Sequence, residues 1–313
     1  MYIANNKSMC APCGIVNYMP LMIRRYLFNI NLNEAYEIRM RTGKPLMIFF
    51  PDGCYYLSAH GVLTQQIEGA IRVTSAHIEE ALEIAAKSSV YSVEEEIKDG
   101  FITLSNGNRL GICGSAVVKD GKVTFIKDVS SLNYRIANQI YNACDKVIDK
   151  IIKNGTIRNT IIISPPGAGK TTMLRDIIRN VSDGGFNVSV IDERREIAAM
   201  HGGKSAFDMG MFTDVLSGIP KADGMLTALR SMSPDVIAVD EIGRQCDCDA
   251  IGKIINCGVK VLTTIHGYDE AQICERNEIR NILKFFETVI VLSKRNGAGT
   301  VESVREKAVK TVC

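Results

Sequence analysis

The stretch Thr160-Ile161-Ile162-Ile163-Ser164-Pro165-Pro166-Gly167-Ala168-Gly169-Lys170-Thr171-Thr172 decides the fold class of this 313-residue chain. Its β-branched first part is typical of a buried strand, and the amphipathic segment from Met173 to Val181 predicts a helix. A turn of small residues joins the two, which gives the strand–loop–helix order that a phosphate-binding loop requires. We therefore predict an α/β nucleotide-binding domain with a mostly parallel sheet.

The residue types in this loop suit phosphate binding. Without side chains at Gly167 and Gly169, successive backbone N–H groups can turn toward phosphates, and the positive end of the helix dipole lies behind them. Lys170 is expected to reach the β- and γ-phosphates, and the Thr171 hydroxyl is expected to ligate Mg²⁺. The predicted nucleotide-binding residues are Ser164, Pro165, Pro166, Gly167, Ala168, Gly169, Lys170, Thr171 and Thr172.

Ser164 departs from the usual phosphate-loop pattern, which opens with glycine. A serine is tolerated at that position if its φ angle is negative, and the Gly-x-Gly-Lys-Thr-Thr part is intact. The alternative interpretation is a glycine-rich turn before a helix that binds no ligand. The Lys-Thr-Thr sequence and the preceding strand favour nucleotide binding.

A second motif follows at Pro234-Asp235-Val236-Ile237-Ala238-Val239-Asp240-Glu241. It predicts a buried Walker B strand that ends in two acids at the carboxyl edge of the sheet, where α/β proteins bind ligands. Asp240 would hold Mg²⁺, and Glu241 could polarise the water that attacks the γ-phosphate. Taken alone, the two acids could be an ordinary polar strand end.

Sequence features also bear on which nucleotide is used. Asp240-Glu241-Ile242-Gly243 matches the Asp-x-x-Gly of switch GTPases, but the Asn-Lys-x-Asp that reads guanine is missing. The segment Asn187 to Asp192 predicts a further strand between the two motifs, an order found in motor-type ATPases. We therefore favour ATP over GTP.

Further elements are predicted downstream of the second motif. Asp247 to Asn256 has a helical pattern, and Val259 to His266 predicts another buried strand. Thr263, Thr264 or His266, at its polar end, could sense the γ-phosphate, although a lone histidine at a strand end is often structural. Thr288 to Leu292 and Thr300 to Val304 predict a hairpin that closes the sheet.

The first part of the chain predicts an α+β accessory domain, with domain bounds of 1–140 and 141–313. Pro45 to Phe50 is strand-like, and Ser75 to Ala86 has a helical pattern. The β-rich stretch Gly100 to Val129 contains Asn106-Gly107 and Asp120-Gly121, both hairpin turn signals. A helical segment from Asn133 to Lys153 is predicted to lead into the nucleotide-binding domain.

Composition restricts the function without naming it. The formal charge of +2 gives no strong nucleic-acid footprint, and no apolar stretch near the start has the form of a signal peptide or membrane span. We expect a cytoplasmic protein with reduced cysteines. Cys10 and Cys13 have zinc-knuckle spacing, but a closed zinc site needs a second pair, and Cys246-Asp247-Cys248 has the wrong spacing.

Over nearly its whole length the chain resembles the secretion-traffic ATPases, which power type II and type IV secretion, and in particular their sporulation members. The stretches that carry the resemblance are Glu37 to Leu46, Gly107 to Gly114, Ile191 to Ile197, Lys221 to Met225 and Arg230 to Asp235. The resemblance implies a RecA-like ATPase domain, ATP and Mg²⁺ as ligands, and a homo-oligomeric ring, a hexamer. It also implies a peripheral position at the membrane between mother cell and forespore, held by membrane-embedded channel components, where the ring would energise channel assembly or transport.

The resemblance also adds site residues. Asp192 to Glu196 is similar to the Asp box of secretion ATPases, which makes Glu193 a second candidate for activating water beside Glu241. Thr263 to Gly267 is similar to their His box, which includes His266. Arginines stabilise the charge of a transferring phosphoryl group, often from a neighbouring subunit. The candidates are Arg194, Arg195, Arg230, Arg244 and Arg135, each of which could instead be a surface ion-pair partner.

Three functions remain open on sequence alone. The first is a ring ATPase that drives a secretion-like channel. The second is an ATP-dependent protein that binds single-stranded nucleic acid, which the absence of tryptophan and of basic–aromatic interleaving disfavours. The third is a nucleotide-dependent scaffold with negligible hydrolysis, which the acidic pair Asp240 and Glu241 disfavours.

Overall fold

A computed structural model of the chain describes residues 14–32, 34–88, 100–104, 107–200 and 202–306. The backbone divides into two compact units, 1–138 with 201–203 and 139–200 with 204–313. The sequence-based bounds of 1–140 and 141–313 for two independent domains stay a prediction. Cys10, Cys13 and Asn106 lie outside the described residues, so the zinc-knuckle interpretation and the Asn106-Gly107 turn are not addressed by the structure.

The first unit is built on an antiparallel seven-stranded sheet with the order β4-β3-β2-β1-β7-β6-β5. Alternating residues of its strands point into one apolar core, where the Tyr134 hydroxyl donates to the Tyr18 carbonyl at 2.8 Å. Its elements are a 3₁₀ helix Gly14–Tyr18, α1 Leu21–Leu27, β1 Glu37–Arg41, β2 Met47–Phe50, β3 Gly53–Leu57, β4 Leu63–Thr64, α2 Ser75–Ser88, β5 Phe101–Thr103, β6 Arg109–Lys119 and β7 Lys122–Arg135.

The second unit contains the predicted nucleotide-binding domain. Its seven-stranded sheet has the order β12-β11-β13-β14-β10-β15-β16, and all neighbours are parallel except β15 and β16. The elements are α3 Ile148–Ile151, β8 Ile152–Lys153, β9 Thr156–Ile157, β10 Thr160–Ser164, α4 Lys170–Asp183, β11 Val188–Asp192, β12 Thr213–Ser217, α5 Lys221–Ser231, β13 Val236–Val239, α6 Gln245–Asn256, β14 Lys260–His266, α7 Glu270–Cys274, α8 Asn277–Leu283, β15 Thr288–Ser293 and β16 Thr300–Glu306.

Most elements of the second unit follow from hydrophobic pattern. Every residue of β10, β11 and β13 is buried, as expected for parallel strands covered on both faces. β11 flanks β13 on its far side, and it is β14 that separates β13 from β10. The predicted fold class is therefore confirmed: an α+β unit precedes a RecA-like α/β unit with a mostly parallel sheet.

The predicted helix from Asn133 to Lys153 is wrong. Asn133 to Arg135 belong to β7, because they complete its pairing with β1 on one side and β6 on the other. Only Ile148–Ile151 is helical in that segment. Strand pairing with partners distant in sequence overrides the local helical pattern here.

Two further observations concern chemistry and membranes. The cysteines that the structure describes are free thiols, and burial raises the pKa of Cys248 to about 11. Within the described part of the chain, none of the helices has the length and apolar composition of a bilayer-spanning segment.

Candidate functional site

The carboxyl ends of the parallel strands place the predicted site residues along one edge of the sheet. Register pairs Ser164 at the end of β10 with His266 at the end of β14. Asp240 and Glu241 follow β13 directly, and Asp192 ends β11. The edge where α/β proteins bind ligands therefore carries the phosphate loop, both acidic motifs and the histidine.

The loop 164–172 has the backbone that its glycines permit. Gly167 and Gly169 have φ angles of 70° and 87°, in the left-handed region that favours glycine. A Cβ on Gly169 would lie 3.1 Å from the backbone nitrogen of Gly299, whose N–H donates to the Ala168 carbonyl at 2.9 Å. The turn between β15 and β16 thus supports the loop. Ser164, in contrast, ends β10 without a positive φ.

Oxygen atoms suited to a divalent cation meet beside the first turn of α4. The Thr171 hydroxyl donates to Asp240 Oδ2 at 2.6 Å, and the Thr264 hydroxyl donates to the other carboxylate oxygen. Carboxylate and hydroxyl oxygens are ligands that Mg²⁺ accepts, usually together with water and substrate phosphates. The donor set therefore fits the ion that the sequence predicts.

Glu241 lies at the centre of a charged cluster. Lys170 Nζ is 2.9 Å from Glu241 Oε1, and His266 Nε2 and Arg194 Nη1 also contact the carboxylate. Burial acts to raise the pKa of Glu241, but Lys170, His266 and Arg194 together hold that pKa below the ordinary value of a glutamate. The carboxylate is therefore charged in the resting site.

The backbone of Glu241 is itself unusual. Its φ is 55°, and its N–H donates to the Thr264 hydroxyl at 2.9 Å. A left-handed conformation costs a residue with a side chain about 1 kcal/mol or more, and such outliers cluster at functional sites. Thr264 links the two acids, because its hydroxyl contacts the Asp240 carboxylate and the Glu241 N–H.

Glu193, the alternative water-activating carboxylate, has a different environment. Its Oε2 lies 2.9 Å from Lys221 Nζ, at the start of α5. The two side chains line a polar cavity of about 490 Å³ together with Arg194, Glu241, Arg244, His266 and Arg276. Glu193 and Glu241 thus face one cavity, each neutralised by its own lysine.

The structure separates the predicted arginines. Arg194 contacts Glu241, and Arg195 has a φ of 55° in the same segment. Arg230 is exposed in the last turn of α5 and does not line the cavity, and Arg135 belongs to the first unit. Lys221 and Arg276 line the cavity although sequence reasoning gave them no role. Lys221 stood in a stretch used only for resemblance, and nothing marked Arg276.

Comparison with known proteins places the chain. The family model described as "Sporulation stage III, protein AA" matches residues 13–312. Stage III sporulation protein AA of Bacillus subtilis (strain 168) is 34% identical over 281 residues, which cover 88% of this chain and 87% of that protein.

Two solved structures have a similar fold. The ATPase DotB of Legionella pneumophila superposes with a TM-score of 0.53 at 18% identity, covering 87% of this chain and 76% of that one. The pilus retraction motor PilT, solved with bound ADP, gives 0.54 at 16% identity, covering 83% and 74%. At these identities the likeness concerns the fold.

The fold and the loop at its sheet edge define the class as RecA-like proteins with a phosphate loop. Within that class, the chain belongs to the sporulation stage III protein AA family. The resemblance inferred from sequence is confirmed. The roles of the individual site residues stay predictions.

Proposed function

We propose that this protein is a Mg²⁺-dependent ATPase. The observation that carries the proposal is the convergence of Lys170, Thr171, Asp240 and Glu241 within hydrogen-bonding distance at the carboxyl edge of the sheet. A protein that only binds nucleotide needs the loop and the metal ligand. It has no use for a second carboxylate beside them, which favours hydrolysis over a scaffold role.

Each residue has a distinct task in this proposal. Thr171 and Asp240 hold Mg²⁺, which neutralises charge on the phosphates when bound. Lys170 exchanges its contact with Glu241 for the phosphates, because it cannot serve both fully. Glu241, still beside Arg194 and His266, then orients the attacking water and accepts its proton. Glu193, held by Lys221, is the competing base.

The ring and its location are proposed on family grounds. Members of the sporulation family that resemble secretion ATPases are expected to form a hexamer at the membrane between mother cell and forespore. There the ring would bind membrane-embedded channel components and energise channel assembly or transport. Arg194, which lines the cavity and contacts Glu241, is the arginine that would contact the transferring phosphoryl group.

The decisive experiment measures ATP turnover by the purified chain with Mg²⁺, over a range of protein concentrations, with and without single-stranded nucleic acid. Turnover that needs Mg²⁺, rises per chain with concentration and ignores nucleic acid supports the ring ATPase. Stimulation by single strands would favour the nucleic-acid-binding alternative. Tight ATP binding without turnover at any concentration would overturn the ATPase proposal.

A further inference from the structure

Arg175 is a buried cation that has no role among the predicted site residues. The residue is only 7% exposed, and its guanidinium lies 3.7 Å from the centroid of the Phe207 ring. Burial lowers its pKa to about 10, against the opposing effect of Asp192, Asp240 and Glu196. The group is therefore charged at neutral pH, and a buried charge is costly unless it makes compensating contacts.

Two of its contacts are made to one short segment of backbone, Glu196 and Ile197. Arg175 Nε donates to the Ile197 carbonyl at 2.7 Å, and Nη2 donates to the Glu196 carbonyl at 2.8 Å. The planar guanidinium presents several donors in a fixed fork, so it can hold two successive carbonyls that a lysine could not hold equally well.

The N–H groups of the same segment are held from the other side. The buried Asp192 carboxylate accepts hydrogen bonds from Glu196 at 2.8 Å, Ile197 at 3.1 Å and Ala198 at 2.9 Å. Within the segment from Glu193 to Ala198, Arg195 has a left-handed φ angle of 55°, and Ala199, which follows the segment, has one of 50°. An unfavourable backbone persists only where its surroundings fix it, and Arg175 and Asp192 supply that fixation.

The position of Arg175 on its helix connects this segment with the phosphate loop. Thr171 and Arg175 are four residues apart on α4 and therefore share one face of the helix. Thr171 contacts Asp240 from that face, while Arg175 holds the backbone that follows Glu193 and Arg194. One helix face thus sets the distance between the predicted metal ligand and Arg194, which contacts Glu241.

We propose that Arg175 is a positioning residue, which ties the segment from Glu193 to Ala198 to the helix of the phosphate loop and so aligns Arg194 and Glu193 with Glu241. Its effect on turnover rests on the proposed ATPase function. Its effect on the segment does not. The hydrogen bonds from Arg175 to the Glu196 and Ile197 carbonyls are contacts to the segment, so it acts through the segment that it holds.

The test variant is Arg175→Met, which keeps an unbranched apolar side chain but removes the guanidinium, with its charge, its donors and its contact with the Phe207 ring. The matched control is Arg179→Met, one turn later on α4, where the side chain pairs with Asp176 at 2.8 Å. In Arg175→Met we expect affinity for a non-hydrolysable ATP analogue within about threefold of wild type and turnover lower by about 10- to 100-fold. Both quantities should stay within about threefold in the control.

A double variant identifies the route of the effect. If Arg175 acts by placing Arg194, adding Arg175→Met to Arg194→Ala should lower turnover by less than about threefold more. A general loss of structural integrity would instead multiply the two effects. Multiplicative losses would overturn the positioning role.

Hydrogen exchange tests the segment without any activity. We expect the amides of Glu196, Ile197 and Ala198 to exchange at least about tenfold faster in Arg175→Met, while those of the α4 interior are unchanged. Unchanged exchange in the segment would overturn the inference even if turnover fell. If the wild-type chain hydrolysed no ATP, faster exchange in Arg175→Met would still uphold the inference about the segment, while the ATPase proposal would fail. If Arg175→Met does not fold, Arg175→Lys is measured in its place. We then expect a smaller acceleration of exchange at the same three amides. Exchange that is no faster than in the wild type would contradict the inference.

Discussion

Lys170 and Glu241 form an ion pair, with Nζ and Oε1 2.9 Å apart, in the resting site. The Lys170 side chain does not project into solvent, because the residue is only 9% exposed. A cation at a sheet edge rich in carboxylates takes the nearest anion. Lys170 must therefore release Glu241 when it contacts a bound phosphate. Phosphate binding would thus change the contacts of the loop lysine and of the proposed base at the same time.

Replacing the lysine should lower both nucleotide affinity and stability. Lys170→Met removes the phosphate contact and should lower ATP affinity by at least about 100-fold, as measured by calorimetry. It should also lower the unfolding free energy by about 1–2 kcal/mol, since Glu241 loses one partner but keeps Arg194 and His266. Unchanged ATP affinity would exclude the phosphate-loop role of this segment.

The two candidate bases can be ranked by amide substitution. Glu241→Gln keeps size and most hydrogen bonds, so ATP affinity should persist while turnover falls about 100-fold or more. Glu193→Gln should have the smaller effect on turnover, because Glu193 is paired with Lys221 rather than with the phosphate-loop lysine. The reverse order in steady-state assays would assign the base to Glu193.

Asp240→Asn should weaken binding itself. Asp240 accepts hydrogen bonds from Thr171 and Thr264, and an amide in its place is a poorer ligand for Mg²⁺. We expect the Mg²⁺-dependent part of ATP affinity to fall by about tenfold or more, with metal-free binding nearly unchanged. Titrations with and without chelator measure the difference. Equal losses under both conditions would contradict the metal role.

The charge on Glu241 predicts a pH dependence of stability. Its pKa is lowered from 4.5 by Lys170, His266 and Arg194 in spite of burial. A carboxyl with a depressed folded-state pKa stabilises the fold above its unfolded pKa, and the contribution is lost as the pH falls through the lower, folded value. The difference in unfolding free energy between wild type and Glu241→Gln should thus be constant above about pH 5.5 and should shrink below about pH 4.5. A constant difference down to acid pH would show that the contacts do not shift this pKa.

Two helical glycines give a matched pair for packing. A Cβ on Gly224 in α5 would lie 2.6 Å from Ile191 Cγ2, whereas one on Gly252 in α6 would meet nothing within 4 Å. Gly224→Ala should destabilise by about 1–3 kcal/mol through overpacking. Gly252→Ala should stabilise by about 0.5–1 kcal/mol, because alanine loses less entropy in a helix. Urea unfolding measures both, and equal effects would mean that α5 can shift from β11.

Sequence predicted the second unit well because its strands are buried on both faces and its loop residues are chemically distinctive. The run from Thr160 to Ser164 and the apolar strand before Asp240 both lie where the pattern placed them. Chemical identity likewise indicated Lys170, Thr171, Asp240 and Glu241, which the structure brings together.

The remaining features depend on contacts between distant parts of the chain. Nothing local marks Asn133 as a strand residue, since its pairing with β1 and β6 decides it. The ion pair between Glu193 and Lys221 joins two motifs whose spacing says nothing of their geometry. In the sequence, Arg175 looks like any other arginine of a helix. Only the structure shows that it is buried and donates to two backbone carbonyls.

The support of Ala168 by Gly299 has a consequence for the order in which the molecule is made. Thr160, at the start of β10, pairs with Leu262 and with Thr288, 102 and 128 residues further along. When α4 has been synthesised, neither β14 nor β15, the two strands that flank β10, has therefore been made. Long-range parallel pairing is slow to form, so competence to bind nucleotide arises at the end of folding. By mass action, ATP would stabilise only the completely folded protein, which binds it, and would not stabilise incomplete chains.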